Sequence, residues 1–315
     1  MRRTLLAVLI LSWLVFSGPG QAQAEPIYAV TFFQTRLLSF DSATPGMLSG
    51  VQITGLRAGE RLIGIDFRPA TGQLYAVGTV TSASTTTGML YRIDPVTGVA
   101  LKVATLSVAL NGNSFGVDFN PVVDRLRVVS NSGQNLRINV DTGEAIVDTP
   151  LAYAAGDVNF GRTPGVAGAA YTNSVAGATS TTLYDIDAAL GTLVVQNPVD
   201  SGTLTSVGSL GVGTNLFFQA VGFDISGMSG VAYAVLPVDI GDPFAFDLFT
   251  VSLNTGAASL VGRVSTGFEP IVGIAVAPAG APIPEPATMV LLGTGLAGVG
   301  AAVRRRRKAC KKADR

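Results

Sequence analysis

The sequence predicts an all-β fold, a β-propeller of five four-stranded blades closed by its own two termini. Three observations carry this: a strand motif that recurs five times, a spacing of blade length between its copies, and a repeat that is out of phase with the chain ends. The composition agrees, since 38 glycines and a body rich in Val, Thr and Ser favour strands and turns over helices.

The first element reads Gly64-Ile65-Asp66-Phe67, Gly116-Val117-Asp118-Phe119, Asp157-Val158-Asn159-Phe160, Gly222-Phe223-Asp224-Ile225 and Gly273-Ile274-Ala275-Val276. A second follows as Leu74-Tyr75-Ala76-Val77, Leu126-Arg127-Val128-Val129, Ala169-Ala170-Tyr171-Thr172 and Val231-Ala232-Tyr233-Ala234. Its fifth copy, Ile27-Tyr28-Ala29-Val30, stands near the N-terminal end instead. A third element, such as Leu90-Tyr91-Arg92-Ile93-Asp94 or Leu183-Tyr184-Asp185-Ile186-Asp187, runs into turns such as Asp94-Pro95-Val96-Thr97-Gly98 and Asp141-Thr142-Gly143. Asp bonds the turn backbone there, and Gly supplies the positive φ of a tight hairpin. A fourth strand follows, as at residues 101–106, 146–151 and 259–264.

Measured from Asp66 through Asp118, Asn159 and Asp224 to Ala275, the copies lie 52, 41, 65 and 51 residues apart. Four strands at that spacing are a propeller blade. The last copy stops after its first strand while the N-terminal side begins with a second, so the two ends complete one blade. The long fourth interval is assigned a loop insertion over residues 195–213. A β-sandwich is the alternative, since five irregular repeats also allow it.

Both chain ends read as addresses. Arg2-Arg3, the apolar run 5–16 and the small-residue site Ala22-Gln23-Ala24 form a secretory signal peptide over residues 1–24. Cleavage is expected after Ala24, with the Sec export machinery as partner. The propeller domain is assigned to residues 25–280 and a sorting tail to 281–315. The tail has three parts: Pro284-Glu285-Pro286, an apolar run at 287–303, and Arg304-Arg305-Arg306-Arg307-Lys308. At about 1.5 Å per residue the apolar run spans roughly 26 Å as a helix, enough for a thin hydrocarbon core. The basic cluster, with residues 304–315, stays cytoplasmic and places the preceding domain across the membrane.

This tail resembles the PEP-CTERM sorting signal of bacterial exosortase systems, with Ile283 where Val is usual. The resemblance implies an exosortase-type sorting enzyme as partner, passage through a membrane-anchored stage, and delivery to the cell surface or beyond with removal of the tail. A plain tail anchor is the alternative.

Charge and residue usage then exclude whole classes of chemistry. Residues 25–283 hold 19 Asp and Glu against 11 Lys and Arg, a net charge near −8 that the balanced whole chain conceals. Nucleic acid is not the partner such a field attracts; cations or a neutral glycan suit it better. The chain has no His, and its one cysteine, Cys310, lies beyond the arginine run. Ser-His-Asp and Cys-His nucleophiles, His or Cys zinc sites and internal disulfides are therefore excluded. Catalysis would have to run on carboxylates, Tyr, Arg or a hard metal.

The stretch over residues 116–130, continued by Gly133-Gln134-Asn135-Leu136-Arg137-Ile138-Asn139, is similar to the bacterial family called domain of unknown function 4394. The resemblance covers residues 26–278 and implies one domain, with no activity attached.

Two candidate sites follow. Asp66, Asp118, Asn159 and Asp224 occupy equivalent places in the repeats and would form an oxygen-rich ring suited to Ca²⁺ if they converge on a central channel, with Ala275 leaving it incomplete. The plainer reading is that each caps its own strand-to-turn backbone. No other cofactor is implied. The second candidate is a polar patch of Arg125, Arg127, Asn135 and Arg137, which could fork onto the carboxylates of an exopolysaccharide or join a salt-bridge group with Asp124 and Asp141. The function expected is that of a secreted, surface-sorted, non-enzymatic structural or binding protein of the envelope or exopolysaccharide matrix. The alternative is a polysaccharide-acting enzyme, a glycoside hydrolase or lyase working through paired carboxylates or calcium.

Overall fold

The computed structural model describes residues 24–33, 35–212, 221–237, 245–265 and 269–279. Blade 1 begins with β1 (Pro26–Thr31), β2 (Arg36–Asp41) and β3 (Thr44–Gln52). Blade 2 holds β4 (Arg61–Arg68), β5 (Gln73–Ser82), β6 (Thr85–Ile93) and β7 (Ala100–Thr105). Blade 3 holds β8 (Phe115–Asn120), β9 (Arg125–Ser130), β10 (Asn135–Ile138) and β11 (Ala145–Val147). In blade 4, β12 (Ala152–Tyr153) precedes β13 (Val166–Tyr171), β14 (Leu183–Asp187), β15 (Thr192–Gln196) and β16 (Thr203–Ser209). Blade 5 holds β17 (Gly222–Ile225), β18 (Ala232–Pro237), β19 (Ala245–Val251) and β20 (Ala258–Ser265), after which β21 (Ile271–Val276) returns to blade 1.

Each blade is built on a four-stranded antiparallel meander, and the five make a five-bladed propeller. Closure is as expected: β21 pairs antiparallel with β1, Ile27 opposite Val276 and Ala29 opposite Ile274. Glu25 reinforces this seam from the first turn. Its carboxylate accepts hydrogen bonds from Ser229 Oγ (2.9 Å), Tyr233 OH (3.0 Å) and Ser226 Oγ of blade 5, and its backbone N–H reaches Ser42 Oγ (2.9 Å).

The third repeat is corrected in phase. The innermost strand of blade 4 is β13, so the true copy of the first element is Gly168-Ala169-Ala170-Tyr171, and Asp157-Val158-Asn159-Phe160 lies in the turns before it. The spacing from Asp66 through Asp118, Ala170 and Asp224 to Ala275 becomes 52, 52, 54 and 51 residues. The insertion assigned to residues 195–213 is instead the end of β15, a 3-10 turn (Val199–Ser201) and β16. Blade 4 also gains β12 as a fifth, parallel outer strand on β16.

The core is divided into five apolar layers, one between each pair of neighbouring blades. Alternate residues of an inner strand serve different layers: Tyr28 and Val30 face blade 2, Ile27 and Ala29 face blade 5. This is why the middle strands read as continuous apolar runs, since both faces are buried. Aromatic pairs recur across these layers, Tyr28 on Phe67 and Tyr75 on Phe119, each at 5.5 Å and edge-to-face. Such a pair adds about 0.5–1.5 kcal/mol beyond its buried area.

Candidate functional site

The innermost strands stack successive rings along the axis, one residue per blade in each. The uppermost is apolar: Ile63, Phe115, Ala167, Val221 and Val272. With Phe32 and Pro270 it encloses a funnel of about 100 Å³ whose polar groups come from Asn113 and Ser114. Below it lie Gly64, Gly116, Gly168, Gly222 and Gly273. A Cβ on Gly64 would sit 2.5 Å from the Val117 side chain, and one on Gly116 would sit 2.6 Å from Ala169 N. Glycine recurs here because five strands converge too closely for any side chain. The space remaining at this level is about 10 Å³, so the axis is plugged rather than open.

Two residues further down each strand stand Asp66, Asp118, Ala170, Asp224 and Ala275. The three carboxylates converge, with one oxygen of each within 4.8 Å of the others, and are 3%, 1% and 3% exposed. The final ring is made of backbone N–H groups. Asp66 accepts from Phe67 N (2.6 Å) and from Phe119 N of blade 3 (2.7 Å). Asp118 accepts from Tyr171 N of blade 4 (3.0 Å). Asp224 accepts from Ile225 N (2.6 Å) and from Val276 N of blade 1 (2.5 Å). Each Asp thus clasps the next blade, and where the preceding blade carries Ala170 or Ala275, the following Asp caps its own neighbour instead. Three carboxylates satisfy all five N–H groups, and none is left as an unpaired buried donor.

Five of six carboxylate oxygens are spoken for, and the sixth belongs to Asp118, which hydrogen-bonds Asp224. Two carboxyls can share such a bond only if one keeps its proton. Asp118, whose second oxygen receives no N–H, is the one placed to keep it. Burial first, and then the charges of Asp66 and Asp224, hold Asp118 well above the usual carboxylate range; burial and Asp224 do the same to Asp66. Asp224 is pushed by burial up to about 6, against the pull of its two backbone N–H donors.

This donor set fits backbone N–H groups and one proton better than Ca²⁺, which seeks 6–8 oxygens. Asn159 is not part of it. Its side chain donates to Ser206 Oγ (3.0 Å) while Asp157 accepts from Ser206 N (2.6 Å), so the pair ties the turn before β13 to the outer strand β16. The expectation that each Asp caps only its own strand is likewise amended, because the partner N–H lies mostly one blade on.

A pH dependence follows from these shifts. Unfolded, the carboxyls ionise near pH 4; folded, they hold protons to higher pH, so the stability this confers is full below about pH 4. It is lost as pH rises through the folded values, about 6 for Asp224. The slope is about 1.4 kcal/mol per pH unit for each retained proton. Asp94, lowered by the backbone N–H of Val96, and Asp124, lowered by Arg68, act oppositely and only in stronger acid. The melting temperature should therefore fall between pH 5 and pH 8, and Asp118→Asn, which accepts from Tyr171 N and donates to Asp224 without a proton to lose, should flatten that fall. A slope unchanged in Asp118→Asn would show that the proton resides elsewhere.

The arginine patch is brought together in part. Arg127, 2% exposed, donates through Nη1 to Asp148 Oδ2 and Asn135 Oδ1 (both 2.7 Å) and through Nη2 to Asp200 Oδ1 (3.0 Å). Arg137 joins it on Asp148 (2.9 Å) and Asp200 (3.3 Å). Arg125 stands apart, bonded to the carbonyl of Asp124 (2.9 Å). Asp124 and Asp141 pair with Arg68 rather than with this group. The cluster is a latch between blades 3 and 4, with its forks already filled by carboxylates. Asp185 adjoins it, fully buried, with neither oxygen hydrogen-bonded among the described residues; burial raises its pKa well above the usual range, against the pull of Arg127.

Ala22 of the expected signal-peptide site and the tail residues Pro284, Glu285, Pro286 and Arg304 to Lys308 lie outside the described residues, while Ala24 is exposed and Glu25 is the first buried residue among those described. No helix among the described residues is long and apolar enough to cross a membrane.

Over residues 36–275 the chain matches the family described as Domain of unknown function (DUF4394), and over residues 282–307 the PEP-CTERM protein-sorting motif. Among solved structures it is similar to a structural genomics protein of unknown function from Bacteroides thetaiotaomicron VPI-5482, at 17% identity and a TM-score of 0.46, covering 83% of this chain and 60% of that one. It is also similar to the major Malassezia sympodialis allergen Mala s 1, at 12% identity and a TM-score of 0.40, covering 74% of each chain. An auxiliary nutrient binding protein from Bacteroides ovatus ATCC 8483 shares 16% identity at a TM-score of 0.39, over 63% of this chain and 50% of that one. The chain thus spans about 60% of the length of the first of these structures. No curated protein matches it.

Proposed function

Because the chain belongs to the domain of unknown function 4394 family and ends in a PEP-CTERM sorting motif, we propose that it is a secreted, surface-sorted, non-enzymatic binding or structural protein of the bacterial envelope or its exopolysaccharide matrix. The observation that carries this is the placement of the sorting motif. It begins at residue 282, six residues after the closing strand β21 ends at Val276, so the tail hangs from the strand that completes the ring. A sorting enzyme acting there handles a finished propeller.

The uses of the ionisable groups support a binding role over a catalytic one. A general acid must touch its substrate and hold a proton near neutral pH. The carboxyls with raised pKa are all buried: Asp66, Asp118 and Asp224 cap backbone N–H groups in the axial clasp, and Asp185 lies near Arg127. The absence of cysteine from residues 25–283 matches a domain that needs no cross-links outside the cytoplasm, its stability resting on five apolar layers and a two-ended seam.

The test is matrix retention. Wild type and Glu285→Ala, expressed in a host with sorting machinery, are compared for the share of protein recovered with extracted exopolysaccharide. The expected result is wild type in the matrix fraction and Glu285→Ala in the membrane fraction; equal partition of the two would remove the proposal.

A further inference from the structure

We propose that the axial funnel seats a short acyl substituent carried on an anionic sugar, with Arg61 at its rim taking the negative charge. This rests on the matrix reading above and deepens it by naming a ligand class. The funnel is built by the repeat itself: the residue before each axial glycine, Ile63, Phe115, Ala167, Val221 and Val272, supplies one apolar wall per blade, and Phe32 adds an aromatic one. Position on the axis and contribution from every blade distinguish it from a gap between two loops.

Size decides what enters. The cavity of about 100 Å³ is smaller than the ~150 Å³ that encloses a benzene ring, so a group of a few heavy atoms fits and a pyranose ring does not. The glycine ring beneath leaves about 10 Å³, which makes the funnel a dead end. An acetyl group matches both limits: its methyl can fill the apolar wall while its carbonyl stays near the polar rim. Desolvating a hydroxyl-rich ring in that funnel would be costly, because its walls provide few hydrogen-bond partners.

The rim supplies the charge and the polar contact. The Arg61 guanidinium lies 4.9 Å from the centroid of Phe32, is exposed, and forms no ion pair among the described residues. Contact with the ring holds the guanidinium over the Phe32 wall of the funnel. Asn113, exposed, lines the same funnel as Phe32, and the backbone N–H groups of Asn113 (3.0 Å) and Ser114 (3.4 Å) are anchored to Asn131 Oδ1, so this part of the rim is held in place before any ligand arrives. A cationic, apolar-walled seat in a domain of net charge near −8 selects for an anion with a small apolar appendage.

The experiment uses the full chain in lipid nanodiscs and saturation-transfer difference NMR, which reads weak binding and reports which ligand protons touch the protein. The probes are N-acetylmuramic acid (acetyl and carboxylate), N-acetylglucosamine (acetyl alone) and glucuronic acid (carboxylate alone). The expected result is strongest saturation on the acetyl methyl of N-acetylmuramic acid, a weaker signal from N-acetylglucosamine and the weakest from glucuronic acid. Arg61→Ala should weaken N-acetylmuramic acid about fivefold, to the level of N-acetylglucosamine, as for an exposed ion pair. Asn113→Trp, at an exposed position, should cap the funnel and abolish the acetyl signal with the melting temperature unchanged. Absence of saturation in the wild type, or an acetyl signal that survives Asn113→Trp, overturns the assignment. Surface delivery without any acetyl signal sinks the funnel alone, whereas an acetyl signal from a protein retained in the membrane fraction keeps the funnel and sinks the matrix reading.

Discussion

Asp224→Ala should lower the stability of the domain by about 2–5 kcal/mol, and with it the melting temperature by roughly 5–15 °C. The substitution strips the acceptors from two buried donors at once, Ile225 N and Val276 N. An unsatisfied buried group costs about 1–3 kcal/mol, and relief of the repulsion with Asp66 offsets only part of the sum. Val276 lies on β21, so the loss falls on the strand that closes the ring. Asp224→Asn, which keeps one acceptor, should fall between the two. Thermal melts of the three proteins at pH 6 give the comparison, and an Asp224→Ala variant that melts with the wild type would mean that its oxygens do not cap these N–H groups.

Arg127→Ala should cost about 3–5 kcal/mol, as does removal of one member of a buried ion pair. Its guanidinium joins Asp148, Asn135 and Asp200 across blades 3 and 4, and its loss leaves the buried Asp148 with Arg137 alone. Asp185 would lose the one cation that draws its pKa down. Arg137→Ala, at a partly exposed position on the same pair of carboxylates, should cost about 1 kcal/mol or less. Urea denaturation of both variants separates them; equal midpoints would contradict the assignment of Arg127 as the buried centre of the latch. The same geometry explains why a glycan-binding test on Arg127 would confound ligand loss with unfolding.

The blade count, the closure by both ends and the sorting tail were legible because each is written locally, in repeated strand motifs or in a contiguous signal. The phase of the third repeat was not, because Asp157-Val158-Asn159-Phe160 imitates the motif while the true copy, Gly168-Ala169-Ala170-Tyr171, lacks its carboxylate. Even spacing would have found it, since only Ala170 gives intervals of 52, 52, 54 and 51 residues. The glycine of the motif was read as part of a repeat and not as a site of close approach, which depends on where five strands meet. The partners of Arg127 were likewise hidden: Asp148 and Asp200 lie 21 and 73 residues along the chain, and only the docking of blade 4 brings Asp200 across. The equivalence of Asp66, Asp118 and Asp224 is legible in the repeat, but their convergence, and whether they face a cation or N–H groups, is decided by where the blades meet.

The measurement that tests the account most directly is the intact mass and cellular fraction of the protein from a host with sorting machinery. The account predicts a surface or extracellular form that begins at Glu25, the first buried residue among those described, and lacks the basic cluster Arg304 to Lys308. A full-length chain confined to the membrane fraction would contradict it.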